Sequence, residues 1–246
     1  MDTKIVTKAD EIAVQRAYYA DTADHYDQMH LEVDKEHELA LDFMIAMVKH
    51  FGIHSILDVG SGTGRALRRL KTELPGVVIV GVEPSAELRA VGYLNGVAEH
   101  ELIDGDAMKL AFADNQFDLV CEFAALHHIP SPCQAVSEML RVARTAIFIS
   151  DCNSFGQGSM VSRMMKQTLK SVGLWPLADW IKTKGRGYTI TEGDGLGYSY
   201  SVFSNLRQIK KVCPSIYLLN TKSAEPNLYR TATHVALLGV KGAGVR

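Results

Sequence analysis

Short apolar runs alternate with longer segments whose apolar residues return at helical spacing. Residues 35–51 have that spacing, and Leu39, Phe43, Met47 and Phe51 are expected to share one face. HSILDVG then reads as a short strand ending at Asp58, and SGTGRALRRLKTEL as a helix opened by glycines and stopped at Pro75-Gly76. VVIVGVE is a second strand ending at Glu83, and PSAELRAVGYL a helix with Pro84 near its start and Gly96 just past its end. Residues 97–103 form a weaker third strand, QFDLVCEF a fourth and TAIFISD a fifth, with the helix SPCQAVSEMLRVA between the last two. This alternation predicts a mostly parallel sheet with helices on both faces. The end of the chain changes pattern. SIYLLN and HVALLGV flank a polar stretch with no helix, so they are expected to pair antiparallel. Residues 153–205 are too long for an ordinary connection and predict a helical, partly ordered cap, with loops near glycine-rich 185–197.

The remaining features narrow the function classes. The 246 residues fit a single α/β domain, 1–246, with residues 1–50 as N-terminal helices partly covering a site and 153–205 as an acceptor-binding insertion. A formal net charge of −2 gives no global case for a nucleic-acid partner. Cys121, Cys133, Cys152 and Cys213 have no zinc-ligand spacing, and no metal site is expected. No signal segment or run of about 18 apolar residues is visible, so the expected location is the cytoplasm.

Asp58-Val59-Gly60-Ser61-Gly62-Thr63-Gly64 lies between a strand and a helix, where glycines allow a sharp turn and close backbone approach to a ligand. The spacing is G-x-G-x-G, not the G-x-G-x-x-G of a dinucleotide site. Glu83 ends the next strand, where a carboxylate can accept both hydroxyls of a ribose. Gly105-Asp106-Ala107 follows the third strand. Each signal alone is an ordinary turn or a solvated strand end. Together, on successive strand ends, they mark a ligand site. The set resembles the class I methyltransferases that use S-adenosylmethionine (SAM). That resemblance implies a Rossmann-like, seven-stranded sheet, SAM as cofactor and S-adenosylhomocysteine (SAH) as product. It implies cofactor contacts at Asp58, Gly60, Ser61, Gly62, Glu83, Pro84, Asp106, Ala107, Phe123 and Ala124. Tyr19 and Tyr26 either reach over SAM or only pack the N-terminal helix on the domain. Many relatives have a Pro-Gly-Gly turn before the fifth strand, where this chain has Arg144-Thr145-Ala146.

For the transfer itself, His127, His128 and Asp151 are the candidate catalytic groups, with one histidine as base and Asp151 alternatively orienting a histidine or binding the acceptor. His25, His30 and His37 are expected at the surface. Trp175, Trp180, Tyr188, Tyr198 and Tyr200 offer flat faces to an acceptor, and Asn153, Gln157 and Glu192 offer hydrogen bonds. The same aromatics would equally serve as a small core for the cap. The run Lys182, Lys184 and Arg186 is a phosphate or carboxylate contact or a solvated loop. The expected reaction is O-methylation of a saccharide or other small metabolite by a monomer or homodimer. N-methylation, a non-catalytic SAM-binding scaffold, a protein or RNA methyltransferase and a nicotinamide-dependent oxidoreductase are the rivals.

Overall fold

The computed structural model describes residues 8–23, 35–191, 195–222 and 225–242. Helices α1 (Lys8–Thr22) and α2 (Lys35–Phe51) precede the sheet. Then follow β1 (Ser55–Val59), α3 (Arg65–Glu73), β2 (Val78–Val82), α4 (Ala86–Leu94), β3 (Leu102–Ile103) and β4 (Phe117–Phe123). A short 3-10 turn, Leu126–His128, leads to α5 (Pro132–Val142) and β5 (Ala143–Cys152). The next segment holds α6 (Met160–Ser171), α7 (Trp175–Lys182), β6 (Tyr188–Thr191) and β7 (Gly195–Tyr198). The chain closes with α8 (Leu206–Lys210), β8 (Ser215–Asn220) and β9 (His234–Val240).

Seven strands form one sheet in the order β3-β2-β1-β4-β5-β9-β8. The strands β1 to β5 pair in parallel, while β9 is antiparallel to both β5 and β8. The alternation predicts the mostly parallel sheet, the change of pattern at the end of the chain its antiparallel pair, and the family resemblance implies its Rossmann-like, seven-stranded form. Both sheet faces are covered. One apolar cluster joins Met44, Leu67 and Phe148, and a second joins Leu57, Met139 and Ile147. Leu67 and Leu70 anchor the short α3, each fully buried and each stabilising by about 1.5–3 kcal/mol.

Several local expectations need correction. The buried face of α2 is Ala40, Leu41, Met44, Ile45 and Val48. Leu39 is 46% exposed, and Phe43, Met47 and Phe51 only flank the core, so the helix is rotated from the predicted face. Residues 185–197 are not all loop, because β6 and β7 pair as an antiparallel hairpin there. The missing Pro-Gly-Gly turn has a simple replacement. Helix α5 ends at Val142 and β5 begins at Ala143, which pairs with Phe117 before the register shifts at Leu119. A strand entered directly from a helix needs no separate turn, and the irregularity absorbs the mismatch. No helix among the described residues is long and apolar enough to cross a membrane.

Candidate active site

The parallel strands end on one side of the sheet, and a cavity of about 830 Å³ opens there. That lies within the range of about 300–1,000 Å³ usual for small-molecule pockets. Gly60, Gly62, Glu83, Pro84, Asp106, Ala107, Phe123 and Ala124 line it, as do Tyr19, His127, His128 and Asp151. Asp58 and Ser61 lie behind the wall, with the Ser61 hydroxyl donating to the Asp58 carbonyl at 3.0 Å. Burial pushes the Asp58 carboxyl up to about 6. Tyr26, His25, His30 and Glu192 lie outside the described residues.

The glycine loop is set by backbone geometry. Gly60, Gly62 and Gly64 have φ of 75°, 54° and 71°, the left-handed region that glycine enters without a steric penalty. A Cβ on Gly60 would also lie 2.5 Å from the Ala125 Cβ. Glu83 is only 4% exposed. Its Oε2 accepts from the Gly62 N–H at 3.0 Å and its Oε1 from the Ser85 N–H at 2.9 Å. Burial pushes this carboxyl up to about 7, against the two backbone bonds and the Arg89 charge. Each carboxylate oxygen has a second lone pair, so two ligand hydroxyls can be accepted together. Asp106 lines the cavity while its Oδ1 accepts from the Met108 N–H at 2.8 Å, so it is both a wall residue and a turn residue.

The other end of the cavity is built around a histidine–aspartate pair. His127 Nδ1 lies 2.7 Å from Asp151 Oδ1, and the His127 N–H donates to Asp151 Oδ2 at 3.2 Å. Asp151 is fully buried. Burial alone would raise its carboxyl, but the charge and hydrogen bond of His127 outweigh this and hold it below the usual range. His128 Nδ1 lies 2.7 Å from the Leu196 carbonyl oxygen, which can only accept. In both rings Nδ1 therefore carries the proton, and in the neutral ring Nε2 carries the lone pair. The two rings lie with centroids 3.9 Å apart.

Two residues of this end were not singled out in the sequence. Glu122 is fully buried, and its Oε2 accepts from the Ala125 N–H at 2.9 Å and the Leu126 N–H at 3.4 Å. Burial and the Asp151 charge push its carboxyl well above the ordinary range. It anchors the turn that carries both histidines. An acidic residue close behind the apolar run LVC, inside the strand FDLVCEF, was its available signal. Gln15 on α1 lines the cavity, and its Oε1 accepts from the Leu196 N–H at 2.6 Å. Its buried Nε2 has no partner among the described residues.

The acceptor candidates separate clearly. His37 is not a surface residue but lines the cavity, with Nδ1 3.1 Å from the Ser150 hydroxyl. Among the five aromatics only Tyr198 reaches the wall, and it donates to Glu11 Oε2 at 2.7 Å. Tyr188 and Tyr200 are buried, Trp175 packs edge-on against Phe155, and Trp180 is 61% exposed. Gln157 lines the cavity, whereas Asn153 is fully buried and spends its amide on the backbone. Its Nδ2 donates to the Tyr229 and Ala232 carbonyls, both at 2.9 Å. In the basic run, Lys182 alone lines the cavity.

A family profile described as a methyltransferase domain matches residues 57–147, the stretch from the glycine loop to β5. Residues 57–147 thus match a methyltransferase domain. A demethylmenaquinone methyltransferase of Roseiflexus sp. is 33% identical over 96 residues, 38% of this chain and 40% of that protein. Its namesake from Porphyromonas gingivalis is 29% identical over 133 residues, 51% of this chain and 54% of that one. The chain thus spans about a third to half of the length of the curated relatives it matches. In fold, it is similar to the magnesium protoporphyrin IX methyltransferase of Synechocystis, solved with bound SAH. The TM-score is 0.62 at 16% identity, over 95% of this chain and 100% of that one. The cofactor that goes with this domain is SAM. The residues present fit it: a loop that excludes Cβ atoms at Gly60, and a buried carboxylate with capacity for two hydroxyls at Glu83.

Proposed function

We propose that the chain transfers the methyl group of SAM to a hydroxyl of a small polar acceptor, a saccharide or another small metabolite. The observation that carries the hydroxyl assignment is the His127–Asp151 pair at 2.7 Å on the cavity wall. Glu83 accepts the two ribose hydroxyls, the Gly60–Gly62 backbone borders the methionine end, and Asp106 and Ala107 border the adenine. When bound, SAM supplies a methyl group on a sulfonium, which departs as the neutral thioether of SAH. The chain's own task is to align the acceptor, exclude water and remove one proton.

Asp151 keeps the His127 proton on Nδ1, so the Nε2 lone pair is the base. It takes the acceptor's hydroxyl proton as the oxygen bonds to the methyl carbon, and the resulting imidazolium is stabilised by Asp151. Glu122 acts from behind the ring, holding the turn through the Ala125 and Leu126 N–H groups. His128, tied to Leu196, packs beside His127 and restricts its ring.

The test is methyl transfer from labelled SAM across a panel of hydroxylated and amine acceptors, with wild type and His127→Ala. A hydroxyl acceptor whose turnover needs His127 supports the reading. Turnover of amines alone, unaffected by His127→Ala, overturns the hydroxyl assignment. SAM binding with no transfer to any acceptor would favour a scaffold.

A further inference from the structure

Helices α6 and α7 are amphipathic in the reverse of the usual sense. On α6, Met160, Val161, Met164 and Met165 recur at helical spacing, Val172 follows just past its end, and each is more than half exposed. The polar side of the same helix faces the protein. Lys166 donates from Nζ to the Gln157 carbonyl at 2.8 Å and also to that of Ser154. Gln167 donates to the carbonyls of Phe155 at 3.0 Å and Arg230 at 2.9 Å. Lys170 lies 3.9 Å over the Phe155 ring. On α7, Leu174 just ahead of the helix, Leu177, Trp180 and Ile181 are half or more exposed, while Asp179 turns to the Ser199 hydroxyl. Neither helix has a buried side chain. A soluble surface rarely carries an apolar patch of this extent without a partner.

Charge selects the partner. Residues 159–187 contain Arg163, Lys166, Lys170, Lys182, Lys184 and Arg186 against the single acid Asp179, in a chain whose net charge is −2. Lys182, Lys184 and Arg186 are exposed just where α7 ends. A second copy would bring the same positive excess to the face. An anionic bilayer brings the opposite sign and an apolar layer at the depth that methionine, leucine and tryptophan side chains reach.

We infer that α6 and α7 form a docking surface for an anionic lipid bilayer. The apolar stripe enters the interface, and the basic end of α7 meets the headgroups. Gln157 and Lys182 of the same segment line the cavity, so docking sets its acceptor side beside lipid headgroups. With the methyl-transfer reading, on which this last step rests, the acceptor is a hydroxyl-bearing group carried on a lipid.

The experiment is flotation of the full chain with phosphatidylcholine vesicles and with mixed phosphatidylcholine–phosphatidylglycerol vesicles, at low and high salt. Recovery with the mixed vesicles, weakened by salt, is expected. The double variant Met164→Asp/Ile181→Asp should bind the mixed vesicles about tenfold or more weakly, because exposed positions tolerate the change and the apolar contribution is lost. Its SAM affinity should be unchanged, which separates failure of docking from failure of the methyl-transfer reading. Equal recovery with both vesicle types, no recovery with either, or undiminished recovery of the double variant overturns the inference. So does a variant whose only change is loss of a dimer in light scattering.

Discussion

The two ends of the cavity are assembled from different ranges of the chain. At the cofactor end, Glu83 takes its hydrogen bonds from Gly62 and Ser85, 21 and 2 residues away. At the acceptor end, His128 bonds Leu196 at a separation of 68, Asn153 bonds Ala232 at 79, and Leu196 bonds Gln15 at 181. One end is a property of consecutive strand–loop–helix units. The other exists only after α1, the cap and the sheet have met. Variants at the cofactor end should therefore change ligand affinity with little loss of stability. Variants behind the acceptor end should act on proton transfer or on the fold.

The largest effect is expected at the base. His127→Ala should lower kcat by about 10³, within the range for a general base, with SAM affinity unchanged in calorimetry. Equal losses of kcat and SAM affinity would merge the two ends into one. Glu83→Ala comes next. It should weaken SAM and SAH by about 10²-fold, since hydrogen bonds to a charged group contribute about 1.5–3 kcal/mol each, while the melting temperature changes little.

A third prediction concerns pH. A carboxyl pushed up to about 7 is increasingly protonated below that pH, and the protonated form loses acceptor capacity. SAM affinity should fall as pH drops through 7, approaching about tenfold per unit, and Glu83→Ala should remove the dependence. Titrations between pH 6 and pH 8 check this, and a flat wild-type profile would remove Glu83 from the ribose.

Asn153→Ala should act on the fold alone. It strands the carbonyls of Tyr229 and Ala232 and the Ser201 hydroxyl, a cost of about 3 kcal/mol in chemical denaturation. The smallest effect is at Ala124, a wall residue at φ 56°. Ala124→Gly relieves a left-handed alanine and should stabilise by about 1 kcal/mol or less after glycine's greater chain entropy is offset.

Legibility followed the same division. Gly60, Gly62, Glu83 and Asp106 could be read because each sits at a strand end with a local signature, and all of them reach the cavity wall. Asp58 carried the same signature yet lies behind the wall, since a strand's side chains alternate between faces. His127, His128 and Asp151 were visible together, with Asp151 as one possible orienter of a histidine, but which histidine it holds was not. The five cap aromatics were indistinguishable in sequence, and only packing sends Tyr198 to the wall and Tyr200 to the core. His37 looked solitary because Ser150 is 113 residues away.

The sequence by itself determined the order of strands and helices from β1 to β5, the turn geometry of the glycine loop and the carboxylate that ends β2. These depend on backbone sterics and short-range periodicity, which a few consecutive residues specify. The tertiary structure decided the rotation of α2, the hydrogen bond that sets the His127 tautomer, the upward shift of the Glu122 carboxyl and the outward apolar face of α6 and α7. Each of these depends on which distant groups displace water from a side chain, and burial is a property of the assembled sheet, cap and helices rather than of any segment.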